Sequence, residues 1–303
     1  MNAEDSGGLP GRVGVLGGGR MGAGIAHAFL MAGANVAVVE RDAASASAAR
    51  DRVLAAVEGS VLRGAVAPEP DRIVTTVDWD ALRGCDLVVE AVPELPDLKR
   101  EALQRAEELL EPLAVLASNT SSLSIDALAA GLKRPGGFLG MHFFNPVPAS
   151  ALVEVVSGSA TAPSAVELAT GWVAALGKTP IVVRDSPGFA SSRLGVLLGL
   201  EAVRMVEEGV ASPEDIDAAM TLGYKHPVGP LRLTDIVGLD VRLDIAEYLA
   251  SELGPRFEPP ALLRQMVAEG LLGRKSGRGF YDWSDESGGG AGDGVSRAPE
   301  RPR

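Results

Sequence analysis

The sequence predicts an α/β fold in which a doubly wound sheet is followed by an all-helical C-terminal domain. Apolar runs rich in β-branched residues alternate with helical runs over residues 12–186, which is typical of a parallel sheet with helices on both faces. Residues 187–283 show helical segments with caps and no further strand. We expect residues 1–11 to form a disordered lead, and residues 284–303, rich in Gly, Ser and Pro, to form a disordered tail.

The first strand–helix unit contains a glycine-rich turn. The strand "RVGVLG" runs into Gly17, Gly19 and Gly22, a GxGxxG spacing that opens an apolar helix, and a second strand ends at Glu40. These glycines permit the tight turn, the approach of a pyrophosphate and close helix packing. Glu40 can accept hydrogen bonds from the ribose hydroxyls and would repel a 2′-phosphate, although Arg41 follows it. Residues 12–186 are therefore predicted to be a Rossmann-type domain that binds NAD.

Polar residues follow the later strands of this predicted sheet. Glu94 and Lys99 come after "CDLVVEAV", and Asn119 and Ser121 come after "LAVLASN". In a doubly wound sheet, ligands bind beyond the carboxyl ends of the strands. We therefore expect these four side chains to face the cofactor and the substrate.

The stretch Gly140–Gly158 contains a histidine and a carboxylate in strands that should be buried. Its two apolar runs are joined by a turn with three prolines or asparagines, so two neighbouring strands are predicted. Glu154 interrupts the run "ALVEVV", and a buried charge requires a partner. Pairing of the two strands would bring the imidazole of His142 near Glu154, which would make a base and the group that orients it.

Composition limits the class of partner. The chain has 40 Asp and Glu residues against 28 Lys and Arg, and the formal net charge of -12 argues against nucleic acid or an anionic membrane surface. Cys85 is the single cysteine, so there is no disulfide and no cysteine metal site, which fits a reducing cytoplasm. No apolar run reaches transmembrane length and no signal peptide is evident. We expect a cytoplasmic protein without a resident metal, in which His27 and His226 are structural.

Seven motifs together resemble those of the 3-hydroxyacyl-CoA dehydrogenases, from about Arg12 to Trp283. They are "GGGRMGAGIA", "VVEAVPE", "SNTSSLSI", "GMHFFNPVP", "LVEVV", "DSPGF" and "GRKSGRGFYDW". The resemblance implies NAD-dependent oxidation of an (S)-3-hydroxyacyl-CoA, with short chains such as 3-hydroxybutyryl-CoA favoured, or the reverse reduction. It also implies that His142 is the catalytic base and that Glu154 is its partner.

The resemblance gives roles to the other polar residues as well. Ser121 and Asn145 would hydrogen-bond the substrate oxygens. Glu94, Lys99 and Asn119 would lie around the nicotinamide and its ribose.

The resemblance also bears on the two ends of the acyl-CoA. It would place contacts to the coenzyme A phosphates on the helical segment that carries Arg50, Arg52 and Arg63, whereas each arginine alone is typical of a solvated helix face. At Ser192 the family usually has asparagine. The shorter side chain changes either the orientation of the substrate or the identity of its acyl part.

Three alternatives remain open at this point. The same chemistry can act on a hydroxyacyl group tethered to an acyl carrier protein, which Ser192 favours. A sugar-acid or carnitine dehydrogenase of the same superfold fits less well, because "HFFNPVP" differs from the sequence around the histidine in those groups. A non-catalytic NAD-binding protein is the third, since a fold does not fix a function.

The helical domain is predicted to form a subunit interface. Its first segment, "RLGVLLGLEAVRMVEEGV", carries apolar residues on most of its faces, too many for a solvated helix. We therefore expect a homodimer that forms through this domain.

Overall fold

The computed structural model describes residues 8–284. Residues 1–7 of the predicted lead and residues 285–303 of the predicted tail lie outside the described residues. The remaining residues of the predicted lead, 8–11, are described, with Pro10 buried and Leu9 packed against the core of the first unit. The chain divides into two compact units, the first ending at Ala190 and the second beginning at Ser191.

The first unit is built around one eight-stranded sheet with the strand order β3-β2-β1-β4-β5-β6-β7-β8. The strands are β1 Arg12–Leu16, β2 Asn35–Val39, β3 Ile73–Thr76, β4 Leu87–Glu90, β5 Val115–Ser118, β6 Phe138–Phe143, β7 Leu152–Ser157 and β8 Thr179–Arg184. Strands β1 to β6 are parallel, β7 is antiparallel to β6, and β8 is parallel to β7. The predicted doubly wound α/β class is confirmed.

Helices cover both faces of the sheet. They are α1 Arg20–Met31, α2 Ala43–Leu62, α3 Pro96–Glu107, α4 Ile125–Ala129 and α5 Pro163–Ala175. The core on one face combines side chains of α1, α2 and α5, and the core on the other combines those of α3 and α4. Because the inner strands are buried on both faces, they are apolar almost throughout, and this is the pattern that identified them in the sequence.

The glycine turn between β1 and α1 allows no larger residue at two positions. Gly17 has φ +86°, in the left-handed region, and a Cβ on Gly22 would lie 1.8 Å from the carbonyl oxygen of Gly17. Helix α1 starts directly after the turn without a side-chain cap, so its first N–H groups face the end of the sheet.

Helix α2 is shorter than the sequence suggested. The helical composition extends from Arg41 to Pro70, but the helix ends at Leu62. Gly64, with φ +95°, follows the C-cap residue Arg63 and turns the chain out of the helix. Residues 65–69 are irregular, and a short 3-10 helix, Pro70–Arg72, leads into β3.

The second unit is helical, as predicted. Its helices are α6 Ser191–Glu207, α7 Pro213–Ala218, α8 Pro230–Val237, α9 Leu239–Leu253 and α10 Ala261–Ala268, with a π-helical turn at Ala219–Gly223. Ser212 caps α7 by accepting a hydrogen bond from the backbone N–H of Asp215. These helices enclose a separate apolar core. Among the helices that the structure describes, none has both the length and the apolar content needed to cross a bilayer.

Candidate active site

A cleft of about 840 Å³ opens beside the glycine turn. Gly17 and Gly19 line it together with Glu40 at the end of β2. A Cβ on Gly19 would meet no atom within 4 Å, so the backbone here faces open space at the N-terminus of α1. Helix N-termini with free N–H groups bind phosphate, and the residues present therefore fit the pyrophosphate of a dinucleotide.

Glu40 is held in place by the glycine turn. One of its carboxylate oxygens accepts a hydrogen bond from the backbone N–H of Gly18 at 2.7 Å. The neighbouring Arg41 also lines the cleft, but its side chain is 85% exposed and pairs with Asp42. A carboxylate at the end of this strand would accept hydrogen bonds from ribose hydroxyls and repel a 2′-phosphate, which suits NAD better than NADP.

His142 and Glu154 are directly opposite each other on β6 and β7. Nδ1 of His142 lies 2.7 Å from Oε2 of Glu154. The carboxylate is fully buried, and its Oε1 accepts a hydrogen bond from the backbone N–H of Ala190 at 3.1 Å. A carboxylate beside Nδ1 requires the proton to sit on that nitrogen, so Nε2 carries the lone pair and can accept a proton.

Two aromatic rings flank the imidazole. The ring centroids of Phe144 and Phe189 lie 4.4 Å and 5.9 Å from that of His142, and the histidine is 6% exposed. The rings fix the plane of the imidazole, so little of the residue is accessible to water.

The structure ties the end of β5 to the end of β6. Asn119 follows β5, and its Oδ1 accepts a hydrogen bond from the backbone N–H of Phe143 at 2.8 Å. Ser121 lies two residues further on, and Asn145 lies two residues beyond Phe143 in an exposed position. The predicted polar residues of these two strand ends therefore border the same edge of the sheet as His142.

Glu94 organises the turn that contains Ser121. Its Oε1 accepts hydrogen bonds from the hydroxyl of Thr120 and the backbone N–H of Ser121, at 2.5 and 3.0 Å. Burial opposes ionisation of Glu94, but the charge of Lys99 and the hydrogen bond from Thr120 outweigh it, so the pKa of Glu94 lies below its usual value. The carboxylate is therefore ionised at neutral pH.

Lys99 has almost no exposed surface. Its Nζ lies 2.7 Å from Oε1 of Glu90 and 3.1 Å from Oε2 of Glu94, and it donates a hydrogen bond to the carbonyl oxygen of Val92. The sequence predicted a direct place for Lys99 beside the cofactor, but the residue is only 1% exposed. In this structure its ammonium group acts on the site through Glu94.

Glu90 is a site residue that the sequence analysis missed. It is fully buried at the end of β4 and accepts hydrogen bonds from Lys99, from the backbone N–H of Val92 and from the hydroxyl of Ser118. Burial raises the pKa of Glu90 despite these donors. The signal was present in the sequence, because a glutamate ends the apolar run "LVVE" just as Glu154 interrupts "LVEVV".

The three predicted arginines do not form one cluster. Arg50 points towards the carbonyl oxygen of Ile73, and Arg52 donates to the carbonyl oxygen of Gly18 and lines the nucleotide cleft. Only Arg63 borders a second cavity. The three side chains point in different directions, so the contacts to the coenzyme A phosphates that the resemblance places on this segment stay a prediction.

That second cavity, of about 410 Å³, is basic. His27, Arg63 and Lys178 line it together with Ser60, and among the described residues its wall contains no carboxylate. Nε2 of His27 lies 2.9 Å from Oγ of Ser60, and Lys178 donates to the carbonyl oxygen of Val147. Burial, followed by the charge of Arg63, lowers the pKa of His27. His27 is thus buried, but it also borders a cavity that suits an anion.

Ser192 belongs to the second unit, in the first turn of α6. Its side chain is half-buried.

Comparison with known proteins identifies the family of the chain. A sequence model described as the 3-hydroxyacyl-CoA dehydrogenase NAD binding domain matches residues 12–186, and the C-terminal domain model of the same family matches residues 188–283. The chain belongs to the 3-hydroxyacyl-CoA dehydrogenase family. It is therefore an NAD-dependent oxidoreductase, and NAD is its cofactor.

Several members of the family are similar to this dehydrogenase over nearly its whole length. The 3-hydroxybutyryl-CoA dehydrogenase of Mycobacterium tuberculosis is 43% identical over 280 residues, which are 90% of this chain and 98% of that protein. The 3-hydroxyadipyl-CoA dehydrogenase of Escherichia coli is 40% identical over 281 residues, or 90% of this chain and 59% of that protein. The crystal structure of (S)-3-hydroxybutyryl-CoA dehydrogenase from Ralstonia eutropha superimposes with a TM-score of 0.86 at 40% identity, covering 90% of this chain and 99% of that one.

Proposed function

We propose that this dehydrogenase oxidises short-chain (S)-3-hydroxyacyl-CoA, such as 3-hydroxybutyryl-CoA, to the 3-oxoacyl-CoA, or catalyses the reverse reduction. The observation that carries the proposal is the buried contact of 2.7 Å between His142 and Glu154 at the edge of the sheet that also holds the nucleotide cleft. The names of the relatives from Mycobacterium tuberculosis and Ralstonia eutropha support the same substrate.

In this proposal His142 is the general base and Glu154 orients it. Nε2 of His142 takes the proton of the hydroxyl on carbon 3 of the substrate, and Glu154 stabilises the imidazolium that forms. NAD supplies the acceptor for the hydride on the same carbon. In the reverse direction the imidazolium of His142 returns the proton to the oxygen.

The neighbouring polar residues have supporting roles in the same proposal. Ser121 and Asn145 hydrogen-bond the substrate oxygens, and Glu94 and Asn119 lie at the nicotinamide and its ribose. Lys99 is a positioning residue, since its ammonium group pairs with the carboxylate of Glu94 and its own side chain is buried. Two hydrogen bonds support this arrangement because they hold both strand ends: the backbone N–H of Ser121 donates to Glu94, and the backbone N–H of Phe143 donates to Asn119.

We place the phosphates of coenzyme A in the basic cavity of His27, Arg63 and Lys178. The protein is acidic overall, so the anionic phosphates of coenzyme A must be bound by a local group of cationic side chains. Arg63 is the one of the three predicted arginines that borders such a group. A guanidinium suits phosphate because it can donate two hydrogen bonds in one plane.

The test is NADH consumption with acetoacetyl-CoA by wild type and by His142→Asn. The variant should lose turnover while its affinity for NADH, measured by fluorescence titration, stays the same, because His142 contacts the reacting oxygen and not the dinucleotide. Near-normal reduction by the variant would refute the assignment of the base. The same assay with NADPH measures the coenzyme preference.

A carrier-bound substrate is the second candidate, and serine in place of asparagine at position 192 is the observation that favours it. The same 3-oxoacyl group presented on coenzyme A and on an acyl carrier protein separates the two. A higher kcat/KM with the carrier-bound group would show that the substrate is attached to an acyl carrier protein and not to coenzyme A.

We also propose a homodimer formed through the helical unit. Two leucines of α6, Leu194 and Leu197, are 68% and 38% exposed, and Leu222 and Tyr224 are 72% and 75% exposed. Apolar side chains in this number on one unit are typical of a covered surface. Light scattering coupled to size-exclusion chromatography measures the assembled mass.

A further inference from the structure

One lysine and two glutamates of the first unit form a network of ion pairs with unequal charge. Nζ of Lys99 lies 2.7 Å from Oε1 of Glu90 and 3.1 Å from Oε2 of Glu94, and we call these three residues the Glu90 triad. Lys99 and Glu90 are buried, whereas the side chain of Glu94 is 38% exposed. Against the effect of burial, the charge of Lys99 holds the pKa of Glu94 below its usual value, so this carboxylate is ionised. One ammonium group therefore faces two carboxyl groups.

The hydrogen bonds of Glu90 are those of an ionised carboxylate. Its oxygens accept from Nζ of Lys99, from the backbone N–H of Val92 at 2.7 Å and from the hydroxyl of Ser118 at 2.6 Å. Oγ of Ser118 accepts the backbone N–H of Thr120, so the hydroxyl hydrogen is available for Glu90. Among residues 8–284, the hydrogen-bond partners of these two oxygens are thus all donors, which suits a carboxylate and not a carboxylic acid. The Glu90 triad therefore carries one negative charge in excess.

The Glu90 triad anchors one wall of the nucleotide cleft. Ala91 and Val92 line the cleft directly after β4. The backbone N–H of Val92 donates to Glu90, and its carbonyl oxygen accepts from Lys99 at 3.1 Å. A Cβ on Gly17 would lie 3.0 Å from the carbonyl oxygen of Ala91, so the glycine turn packs against this same wall. Two charged groups of the triad therefore fix the backbone that the dinucleotide would contact.

The exposed end of the Glu90 triad reaches the turn after β5. Oε1 of Glu94 accepts the backbone N–H of Ser121 at 3.0 Å. The backbone N–H of Asn119 donates to the carbonyl oxygen of Glu90 at 2.8 Å, which joins the ends of β4 and β5. In the proposed function, Glu94 and Asn119 lie at the nicotinamide and its ribose. The triad would then extend from the core of the sheet to that end of the coenzyme.

We propose that the excess negative charge of the Glu90 triad raises the affinity of the site for NAD⁺ relative to NADH, and that Glu90 is the positioning residue that holds this charge in place. The inference rests on the proposed function, which puts the nicotinamide beside Glu94. The ring is cationic in NAD⁺ and neutral in NADH, so an anion attracts the oxidised form only. Water screens a buried charge less than an exposed one. At the effective dielectric constant of a protein site, a unit charge changes the affinity for a cation roughly 10-fold over a distance of about 10 Å.

Calorimetric titration of the enzyme with NAD⁺ and with NADH, without substrate, tests the proposal. The measured quantity is the Kd of NADH divided by the Kd of NAD⁺. Glu90→Gln should lower this ratio about 3- to 20-fold, mainly by weakening NAD⁺. The double variant with Lys99→Met loses one charge of each sign, so it keeps the excess negative charge and should recover the ratio of wild type. Glu107→Gln removes a buried carboxylate at the other end of α3, where Glu107 accepts the backbone N–H of Lys133, and should leave the ratio unchanged.

A structural role for Glu90 predicts a different result. Loss of order at the cleft would weaken NAD⁺ and NADH alike, so an unchanged ratio in Glu90→Gln would overturn the proposal. A double variant with the low ratio of Glu90→Gln would overturn it as well, because the ratio would then not follow the charge.

Glu94→Gln keeps the proposal testable if Glu90→Gln does not fold. It removes the same unit charge from the partly exposed end of the triad, and any contact of Glu94 with the ribose is common to both forms of the coenzyme. The ratio should again fall about 3- to 20-fold, and an unchanged ratio would overturn the proposal. Turnover of acetoacetyl-CoA by wild type is measured separately. Its absence would refute the proposed substrate, whereas the two coenzyme affinities would still report the charge of the triad.

Discussion

Glu154→Gln removes a buried charge and keeps the shape of the side chain. In the wild type, Oε2 of Glu154 lies 2.7 Å from Nδ1 of His142, and Oε1 accepts a hydrogen bond from the backbone N–H of Ala190 at 3.1 Å. A glutamine amide has a single acceptor oxygen. One of the two donors must then face the NH₂ group, so the amide either displaces Ala190 or turns the imidazole to its other tautomer.

The expected loss of activity follows from this mismatch. The variant no longer fixes the lone pair on Nε2, and it no longer stabilises the imidazolium formed when His142 accepts the proton. We expect kcat to fall about 100- to 10,000-fold, which corresponds to about 3 to 5 kcal/mol of transition-state stabilisation. KM for the substrate should change little, because Glu154 is fully buried and has no surface to present to a ligand.

Steady-state NADH oxidation with acetoacetyl-CoA measures this effect. Glu101→Gln, an equal change at an exposed position of α3, is the matched control and should retain wild-type rates. A kcat for Glu154→Gln within threefold of wild type would show that the carboxylate does not orient the base.

Three further predictions concern the basic cavity and the buried ion pair. Arg63→Met should raise KM for acyl-CoA about 10-fold, as expected for one lost charge-assisted hydrogen bond. It should leave KM unchanged for the same acyl group on N-acetylcysteamine, which has no phosphate. Equal effects on the two substrates would contradict the assignment of the coenzyme A phosphates to this cavity. Because burial lowers the pKa of His27 below 6.5, the stability contributed by the neutral imidazole is complete above pH 6.5 and is lost as the pH falls through the lowered value. The urea-unfolding free energy of His27→Gln should therefore vary less below pH 6.5 than that of wild type, whereas His226→Gln should follow wild type. Glu90→Gln should lower the unfolding free energy by about 1 to 3 kcal/mol in urea titrations, since the buried ammonium of Lys99 loses one of its two carboxylate partners and keeps Glu94. The double variant with Lys99→Met should regain part of this loss, and a loss by the double variant as large as that of the single one would argue against the pair.

The sequence was sufficient to predict the sheet and the contact between His142 and Glu154. A period of two in "ALVEVV" places Glu154 in a buried strand, and a short turn from "GMHFF" requires the two strands to be neighbours. These are local rules, and β6 and β7 are joined by a short connection, so few alternative pairings exist. The register that sets His142 directly opposite Glu154 comes from the structure, because the connection from Phe143 to Leu152 allows more than one register.

The ion pair of Glu90 and Lys99 was harder to predict. The two residues are nine positions apart, on a strand and on the helix after it, so their contact depends on how α3 packs against β4. Lysine at the first turn of a helix is usually solvated, and nothing in the local sequence marks this one as buried. The position of Glu90 in an apolar strand was the available clue.

Arg242 illustrates the same limit in the helical unit. An arginine within a helix is normally assigned to the solvated face, and only its spacing from Leu239, Ala246 and Leu249 places it on the buried one. Spacing does not reveal that the buried Nε of Arg242 has no hydrogen-bond acceptor among residues 8–284. The surroundings of Arg242 depend on how α9 packs, because this packing brings together residues distant in sequence.

If His142 is the base, as we propose, the reversed direction of β7 has a consequence for the timing of catalysis. Since β7 pairs with β6 in an antiparallel hairpin, the two side chains that share the proton belong to one small piece of backbone, separated by only twelve positions. Loops at the rim of the sheet can rearrange when a thioester arrives without altering the angle between imidazole and carboxylate. The reactive nitrogen is thus aimed before any ligand is present, and the free energy of binding can be used to position the alcohol instead.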